Sequence, residues 1–237
     1  RQWSRGLGDV YKRQANNGKG LMMGGVAGIT PPELVIIGAG TVGQFAASAA
    51  LALGVSVKVF DNSLFKLRRL QNEIGQKVFT SVIQPKVLEK ALMRCDVAIG
   101  ALSAPHGRTP CIVSEDVVKK MKSGSVIVDV SIDKGGCFET SKITTHQNPT
   151  FTKHDVIHYC VPNIGSRVSR TASFSLSNIF SPLLIEISES GGCEKLIQYS
   201  KGFRHGVYIY NGTLTSSILG KAFNIPYKNL DLLISAL

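Results

Sequence analysis

A glycine fingerprint is the sequence feature with the clearest chemical meaning. Gly38, Gly40 and Gly43 fall in the pattern G-x-G-x-x-G, with Thr41 and Val42 before the last glycine. In a dinucleotide-binding turn the first glycine allows a tight bend, the second lets the backbone approach a pyrophosphate, and the third lets the next helix pack on the strand. The N–H groups at the start of that helix then face the phosphates. The pattern therefore predicts a dinucleotide site between a strand and a helix.

Asp61 stands at the end of the second predicted strand, eighteen positions after Gly43. A carboxylate there can accept hydrogen bonds from both hydroxyls of the adenine ribose, and it repels a 2′-phosphate. The residue therefore predicts NAD in preference to NADP. Lys66, one turn into the next predicted helix, either reaches the same ribose or is an ordinary solvated lysine. The alternative interpretation of the whole motif is a glycine-rich turn followed by a surface aspartate.

Three further predicted strands end in residues that can line the same ligand, because ligands of doubly wound sheets bind along the carboxyl ends of the strands. These residues are Leu102 and Ser103 after the fourth strand, Val130, Ser131, Ile132 and Asp133 after the fifth, and Val161, Pro162, Asn163 and Ile164 after the sixth. Asp133 is predicted to project toward the nicotinamide end, where a carboxylate can orient water or a substrate ammonium group, or carry protons. Asp129 lies inside the apolar strand and is predicted to be a structural hydrogen-bonding acid.

Histidine and cysteine residues around the sixth predicted strand are the candidates for a metal site. They are His146, His154, His158 and Cys160. His158 and Cys160 share one strand face, whereas His154 lies in the preceding turn, so a structural role is favoured over zinc and no metal is predicted. The five cysteines of the chain are widely spaced and form no C-x-x-C pair. This favours reduced thiols and a cytoplasmic protein.

Short apolar strands alternate with helical segments from Glu33 onward. The predicted strands are Glu33–Ile37, Val55–Phe60, Lys77–Thr80, Asp96–Leu102, Ser125–Val130 and Val156–Val161, and the predicted helices are Thr41–Leu53, Leu64–Ile74, Pro85–Arg94 and a segment capped by Ser114 that runs through Lys122. A polar loop is predicted between Ser131 and Thr150. Strands joined by helices pair in parallel through right-handed crossovers. The predicted fold is therefore α/β, with a doubly wound parallel (Rossmann) sheet.

The character of the chain changes after Pro162, where one long helix is predicted over Ser166–Ser190, followed by short helical pieces. We therefore expect a dinucleotide-binding domain over residues 15–164 and a mostly helical C-terminal segment over residues 165–237. Residues 1–14 show no helical or strand period and resemble a translated sequencing-adapter scar, so we expect a non-native tail there. Because the chain begins with Arg1 and its first methionine is Met22, we expect a fragment that lacks its N-terminal part.

The overall composition is that of a folded soluble protein: of 237 residues, 43% are hydrophobic and 18% are charged. The net charge of +11 is unusual, but the first 14 residues hold four basic groups and one acidic group, which leaves +8 for the rest. Those basic residues are scattered and form no stripe interleaved with aromatic residues, so no nucleic-acid partner is expected. No apolar run approaches the roughly 18 residues of a membrane span, so no membrane partner is expected either.

Several segments of the chain resemble alanine dehydrogenases and, more distantly, the alpha subunit of NAD(P) transhydrogenase. The segments that carry the resemblance are GKGLMMGGVAG (Gly18–Gly28), VIIGAGTVG (Val35–Gly43), VIVDVSIDKGGCFET (Val126–Thr140), TTHQNPTF (Thr144–Phe151), HYCVPNI (His158–Ile164) and YNGTLT (Tyr210–Thr215). The run Val130–Gly136 is the most diagnostic, together with the Phe138-Glu139 pair that follows. Transhydrogenase alpha subunits usually lack an aspartate at the position of Asp133.

The resemblance implies reversible oxidative deamination of L-alanine to pyruvate and ammonium, with NAD as the hydride acceptor. Asp133 matches the family's catalytic aspartate beside the nicotinamide. The family's cofactor contacts fall on Thr41, Asp61, Lys66, Leu102, Ser103, the run from Val130 to Asp133, and the run from Val161 to Ile164. The resemblance also implies a homo-oligomer, commonly a hexamer.

The chain departs from the family pattern in two places. The family's substrate-binding arginine and lysine and its catalytic histidine belong to an N-terminal region, so residues 165–237 are expected to be part of an incomplete substrate domain and this chain to be inactive by itself. Many members have Asn-Met-Pro-Gly where this chain has Asn163-Ile164-Gly165-Ser166, which retains Asn163.

Two alternative functions stay open for the chain, a transhydrogenase alpha subunit and an NAD-binding regulatory module without turnover.

Overall fold

The chain forms two compact units in its computed structural model, which describes residues 18–104 and 107–235. The first unit ends at Ile164 and the second begins at Gly165. The expected non-native tail, residues 1–14, lies outside the described residues. Within the described ranges, no helix is both long and apolar enough to cross a membrane.

The first unit is built on a seven-stranded sheet flanked by helices. Its elements in chain order are β1 (Glu33–Ile37), α1 (Thr41–Ala52), β2 (Ser56–Phe60), α2 (Leu64–Ile74), β3 (Phe79–Ser81), α3 (Pro85–Arg94), β4 (Val97–Gly100), α4 (Glu115–Lys119), β5 (Val126–Asp129), β6 (Thr150–Lys153) and β7 (Val156–Tyr159). The strand order is β3-β2-β1-β4-β5-β7-β6, and all pairs are parallel except β6 with β7. The prediction of a doubly wound α/β sheet is confirmed.

The side chains of the central strand β1 alternate between two cores. Ile36 belongs to the core that also contains Leu67 of α2, and Ile37 belongs to the core that contains Leu92 of α3. Burial on both faces is the reason that β1 is a continuous apolar run rather than an alternating one. The strand order reverses beside β1, where the chain continues to β2 on one side and β4 lies on the other. In sheets of this kind the ligand crevice opens at the carboxyl ends of the strands beside that reversal.

The β6–β7 hairpin is the main difference from the sequence prediction, which ended a polar loop at Thr150, assigned no element to residues 151–155 and counted six strands. β6 pairs antiparallel with β7 along its whole length and forms the edge of the sheet. The two-residue turn consists of His154 and Asp155, whose φ angles are 54° and 58°. Such turns are usually signalled by asparagine and glycine. With Phe151 as the one apolar residue of β6, the alternation that marks a strand was also missing.

Smaller differences concern where elements begin and end. The polar loop predicted after β5 starts with a 3-10 helix over Val130–Lys134. The helix after Ser114 ends at Lys119, earlier than predicted, and the Ser114 side chain makes no capping hydrogen bond. Instead, the Glu139 carboxylate accepts a hydrogen bond from the Glu115 N–H at 2.7 Å. A residue distant in sequence thus supplies the cap that the local pattern had assigned to Ser114.

The second unit is mostly helical. Its helices are α5 (Ser169–Glu189), α6 (Cys193–Tyr199), α7 (Lys201–Arg204), α8 (Ser217–Phe223) and α9 (Leu230–Ser235), and a short antiparallel hairpin joins β8 (Ile209–Tyr210) to β9 (Thr213–Leu214). The long helix that was predicted from Ser166 starts at Ser169, since a 3-10 helix covers Ile164–Val168. Pro182 lies inside α5, as expected. The two-residue strands of the hairpin were not predicted, since they are too short to show a period.

Candidate functional site

The turn after β1 is too crowded for a side chain at its first and third glycines. Gly38 has a φ of 116°, and a Cβ there would lie 2.4 Å from the carbonyl oxygen of Ala101, directly after β4. A Cβ at Gly43 would lie 1.9 Å from the Gly38 carbonyl oxygen, so α1 packs directly on the turn. The Gly38 N–H also donates to the Phe60 carbonyl oxygen at 2.7 Å. Packing within the protein therefore accounts for these two glycines.

Gly40 differs from them, because a Cβ at this position would meet no protein atom within 4 Å. Its φ is −75°, and it stands at the N-cap of α1 without a side-chain hydrogen bond to the helix. The first N–H groups of α1 consequently have no side-chain cap, and the space before them is open. A helix N-terminus of this kind binds phosphate groups through its free amides and its dipole. The residues present thus fit the pyrophosphate of a dinucleotide.

Asp61 lies directly after β2 and is only 6% exposed. Its Oδ2 accepts a hydrogen bond from the Ala39 N–H at 2.8 Å, and its Oδ1 accepts one from the Ser63 N–H, also at 2.8 Å. The carboxylate therefore connects the glycine turn to the residue that caps α2. Because an ionised carboxylate offers about four acceptor positions, Asp61 retains capacity for further donors. The sequence pointed to this acid as a ligand contact but gave no sign of its two backbone partners.

The other residues predicted at this end lie in the first turns of α1 and α2. Thr41 and Val42 are exposed at the start of α1. Lys66 is half-buried, and its N–H donates to Ser63 Oγ at 3.3 Å, so Ser63 is the N-cap of α2. The cap and the Asp61 carboxylate together fix the start of α2 beside the glycine turn.

Asp129 anchors the loop that follows β5. Its buried carboxylate accepts hydrogen bonds from the N–H groups of Ser131, Cys137 and Phe138 and from the Ser141 hydroxyl, at distances between 2.7 and 3.4 Å. Burial raises the pKa of Asp129 above its usual range, and these four donors oppose the shift. The predicted structural role of Asp129 is confirmed, and its function is to shape the loop that carries Asp133.

Asp133 is exposed at the carboxyl edge of the sheet, within the 3-10 helix after β5. Its Oδ1 accepts a hydrogen bond from the Asn163 N–H at 2.9 Å. Asn163 has a φ of 53°, in the left-handed region that asparagine adopts more readily than most residues. The loops after β5 and β7 thus bring together two of the predicted site residues, and the contact orients the Asp133 carboxylate.

The remaining predicted residues at this edge are enclosed to different degrees. Ser131, Ile132 and Val161 are buried, Leu102, Val130, Pro162 and Ile164 are half-buried, and Ser103 is exposed. The buried residues can offer main-chain atoms and packing to a ligand, but not side-chain chemistry. Within this predicted set, the exposed polar side chains are therefore those of Ser103, Asp133 and Asn163.

Lys134 is a residue that the sequence interpretation missed. Its ammonium group donates to Ser103 Oγ and to the Ala104 carbonyl oxygen, both at 3.2 Å. These hydrogen bonds join the loop after β5 to the loop after β4. The two contacts join residues 31 and 30 positions apart in sequence, and the one available signal was that Lys134 follows Asp133 directly.

The candidate metal ligands have other partners. His158 is buried, with Nδ1 2.9 Å from the Val156 carbonyl oxygen and Nε2 2.8 Å from Thr140 Oγ1. Since a carbonyl oxygen can only accept, Nδ1 carries the proton and Nε2 accepts from the Thr140 hydroxyl. His154 contacts Glu115 through Nε2 at 2.6 Å. In the ranges that the structure describes, no three metal-ligating side chains are grouped to hold an ion.

The buried His158 ring gives the first unit a pH-dependent stability. Burial lowers the pKa of His158 from 6.5 to about 4. Because the folded chain disfavours the protonated ring, the contribution of His158 is complete above pH 6.5 and is lost as the pH falls toward 4, by about 3 kcal/mol at most. We expect His158→Gln to flatten the pH dependence of the unfolding free energy in this window, measured by urea titrations followed by circular dichroism. The exposed His205→Gln variant should keep the original dependence, and equal slopes in all three proteins would contradict the assignment.

A glycine turn that opens onto a helix N-terminus, beside the point where a parallel sheet reverses its strand order, defines a class: the first unit is a Rossmann-type, nucleotide-binding α/β domain. Within that class, the chain belongs to the family "Alanine dehydrogenase/PNT, C-terminal domain", whose sequence profile matches residues 7–217. This family and this fold together imply a nicotinamide nucleotide as cofactor. The resemblance seen in the sequence segments is confirmed.

Two curated relatives illustrate the relationship. Alanine dehydrogenase from Mycolicibacterium smegmatis is 38% identical over 223 residues, which are 94% of this chain and 60% of that protein. Alanine dehydrogenase from Methanococcus maripaludis is 39% identical over 222 residues, which are 93% of this chain and 59% of that protein. The chain therefore spans about three fifths of the length of the curated relatives that it matches.

The solved structures give the same order of similarity. An L-alanine dehydrogenase superposes with a TM-score of 0.86 at 33% identity, covering 93% of this chain and 61% of the other. A transhydrogenase from Sinorhizobium meliloti superposes with a TM-score of 0.60 at 20% identity, covering 70% of this chain and 48% of the other. The second likeness concerns the fold alone and is the more distant of the two.

Proposed function

We propose that this chain is the cofactor-binding part of an NAD-dependent alanine dehydrogenase, which converts L-alanine to pyruvate and ammonium reversibly. The observation that carries the proposal is the Asp133 carboxylate, which is exposed at the carboxyl edge of the sheet and oriented by the Asn163 N–H at 2.9 Å. An acid–base group at this edge suits the oxidation of an amine. Exchange of hydride between two cofactors, the reaction of a transhydrogenase, needs no such group.

The proposed division of labour follows from the positions of the site residues. The Gly38–Gly43 turn and the first N–H groups of α1 bind the pyrophosphate. When bound, NAD supplies the acceptor for the hydride that leaves Cα of the substrate. Asp133 accepts a proton from the substrate ammonium group and releases it to solvent, so that the carboxylate is ionised again. It then takes a proton from the water that attacks the iminium carbon and returns this proton to the nitrogen. As the C–N bond breaks, the hydroxyl proton passes to the departing ammonia, which gives pyruvate and ammonium. Asn163 holds the carboxylate in place for these proton transfers.

An activity assay on the complete gene product that carries these residues tests this proposal. We expect NADH to form when L-alanine and NAD are supplied, and to be consumed when pyruvate, ammonium and NADH are supplied. Hydride exchange between NADPH and an NAD analogue, without any amino acid, would favour the transhydrogenase alternative. Binding of NADH with no turnover of either kind would favour a regulatory module.

The preference for NAD is assigned to Asp61. Its charge, 2.8 Å from the backbone of the glycine turn, opposes a 2′-phosphate on the neighbouring ribose. We expect Asp61→Asn to raise the affinity for NADPH relative to NADH by about tenfold, because the like-charge repulsion is removed. Asp61→Ala should shift the ratio in the same direction and also lower the unfolding free energy by about 1–3 kcal/mol, because the Ala39 and Ser63 N–H groups lose their acceptor.

Competitive titrations with NADH and NADPH, together with thermal unfolding, check both statements. Glu73→Gln on α2 is the matched control, since it removes one exposed negative charge that contacts Arg69 and not the turn. An NADPH to NADH ratio that stays the same in Asp61→Asn would contradict the assignment.

Two further proposals rest on the family resemblance. We propose that the complete protein is a cytoplasmic homo-oligomer, commonly a hexamer in the family, and that residues 165–237 contribute to its substrate domain. The small molecules that it acts on are L-alanine, pyruvate and ammonium. Size-exclusion chromatography with light scattering measures the oligomeric state directly.

A further inference from the structure

Two consecutive side chains at the carboxyl edge extend in opposite directions. Asp133 contacts Asn163 in the loop after β7, and Lys134 contacts Ser103 and Ala104 in the loop after β4. The 3-10 helix that carries both residues is held by the buried carboxylate of Asp129. Three loops that end neighbouring strands are therefore tied together through one short, anchored segment.

The loop after β4 is fixed by its backbone at both ends. The Ala101 N–H donates to Ile37 in β1 at 2.8 Å, and the Thr109 N–H donates to the Lys134 carbonyl oxygen at 2.8 Å. Between these points, Ser103 and Ala104 accept two hydrogen bonds from the Lys134 ammonium. The side chain of Lys134 therefore holds the part of the loop next to β4, whereas its carbonyl group holds the far end.

The contacts of the Lys134 side chain join the loop after β5 to the loop after β4 without neutralising a charge. The Lys134 ammonium donates to a hydroxyl oxygen and a carbonyl oxygen, which are both uncharged. It is exposed, so removing it leaves no buried charge behind. The backbone hydrogen bond of Thr109 to residue 134 does not depend on the side chain and persists in any substitution.

We propose that Lys134 is a positioning residue that holds Ser103 and Ala104 in place for the nicotinamide half of the cofactor. The inference rests on the proposed function, since it requires the cofactor to lie along the carboxyl edge with its nicotinamide end beside Asp133. Lys134 acts through Ser103 and Ala104, and the pyrophosphate is bound elsewhere, at the N-terminus of α1. Loss of the Lys134 contacts therefore affects the two halves of the cofactor unequally.

Binding measurements with two ligands test this proposal. NADH carries the nicotinamide, and ADP-ribose shares the adenosine and pyrophosphate groups but lacks it. We expect Lys134→Met to weaken NADH binding about fivefold to tenfold, as for the loss of two modest hydrogen bonds, and to change ADP-ribose binding by less than about twofold. Lys134→Arg keeps the donors and should restore NADH binding to within about twofold of the original chain. Lys86→Met, on the exposed surface of α3, is the control for the change in net charge.

Hydrogen exchange without ligand provides a second readout. The amides of Ser103 and Ala104 should exchange faster in Lys134→Met than in the original chain or in Lys134→Arg, while Thr109 should be unchanged. Equal losses of NADH and ADP-ribose affinity would overturn the proposal in favour of a general attraction between the ammonium and the phosphates. Unchanged NADH binding, or unchanged exchange at these amides, would also overturn it. If the original chain itself fails to bind NADH, the proposed function fails first, so the two failures are distinguishable.

Discussion

Asp133→Asn should lower kcat for alanine oxidation by about 10²–10⁴-fold in the complete gene product, while NADH affinity changes little. The asparagine side chain keeps an oxygen that can accept the hydrogen bond from the Asn163 N–H, now 2.9 Å from the carboxylate. The geometry of the edge is therefore retained, and what is lost is the ability to take up a proton. The variant thus separates proton transfer from positioning.

Steady-state kinetics in both directions, with NADH titrations alongside, measure this effect. Asp116→Asn is the matched control, because Asp116 is an exposed acid on α4 whose partner is Lys119, away from the strand ends. If the Asp133→Asn enzyme keeps a kcat within about twofold of the original, Asp133 does not take part in the proposed proton transfers. A selective loss of NADH binding with unchanged kcat would assign it to cofactor binding instead.

The second large effect is expected from replacing either of two glycines in the same turn by alanine, because each substitution adds one methyl group. Gly43→Ala brings the new Cβ to 1.9 Å from the Gly38 carbonyl oxygen, so the helix must move away from the turn. We expect the unfolding free energy to fall by about 3 kcal/mol or more. Gly40→Ala meets no protein atom within 4 Å, and its φ of −75° suits alanine. We expect a loss of about 1 kcal/mol at most, because glycine is the better N-cap residue.

For NADH binding we expect the opposite order: provided that both variants remain folded, Gly40→Ala should lower the affinity more than Gly43→Ala does. The Gly40→Ala methyl occupies the open space before the first amides of α1, so NADH affinity should fall about tenfold or more. Urea unfolding and NADH fluorescence titrations on the two variants provide the comparison. If Gly40→Ala binds NADH as the original chain does, the pyrophosphate does not approach at this glycine.

Local patterns were sufficient to predict the elements around the glycine turn. The bounds of β1, α2 and α3 agree with the prediction, because each has a clear start and stop: an apolar run that ends at Gly38, an N-cap at Ser63 and a proline at position 85. The α/β class follows from the same alternation. The missed strand, β6, has one apolar residue and a turn of His154 and Asp155, so neither its period nor its turn chemistry was informative.

The sequence predicted which residues lie at the edge of the candidate site, but not the hydrogen bonds that join them. The strand ends pointed to Asp133 and Asn163 because parallel strands place their carboxyl ends at one edge. That the two residues share a hydrogen bond depends on how the loop after β5 folds around Asp129, which brings together partners up to twelve positions apart. The contacts of Lys134 with Ser103 and Ala104 also join two different loops. Such contacts between loops leave no periodic trace in one sequence.

The two backbone partners of Asp61 bear on how cofactor preference can change during evolution or engineering. A substitution that removes the carboxylate also removes the acceptor of the Ala39 N–H, which lies inside the Gly38–Gly43 turn. A mutational path to NADP through residue 61 therefore passes through poorly folded or weakly binding intermediates unless the new side chain accepts that hydrogen bond. Asn62, which follows Asp61, accepts a hydrogen bond from the Ile83 N–H at 3.1 Å, so a substitution there also removes a backbone acceptor. A directed-evolution library should accordingly replace Asp61 only by side chains that still accept the hydrogen bond from the Ala39 N–H, such as asparagine.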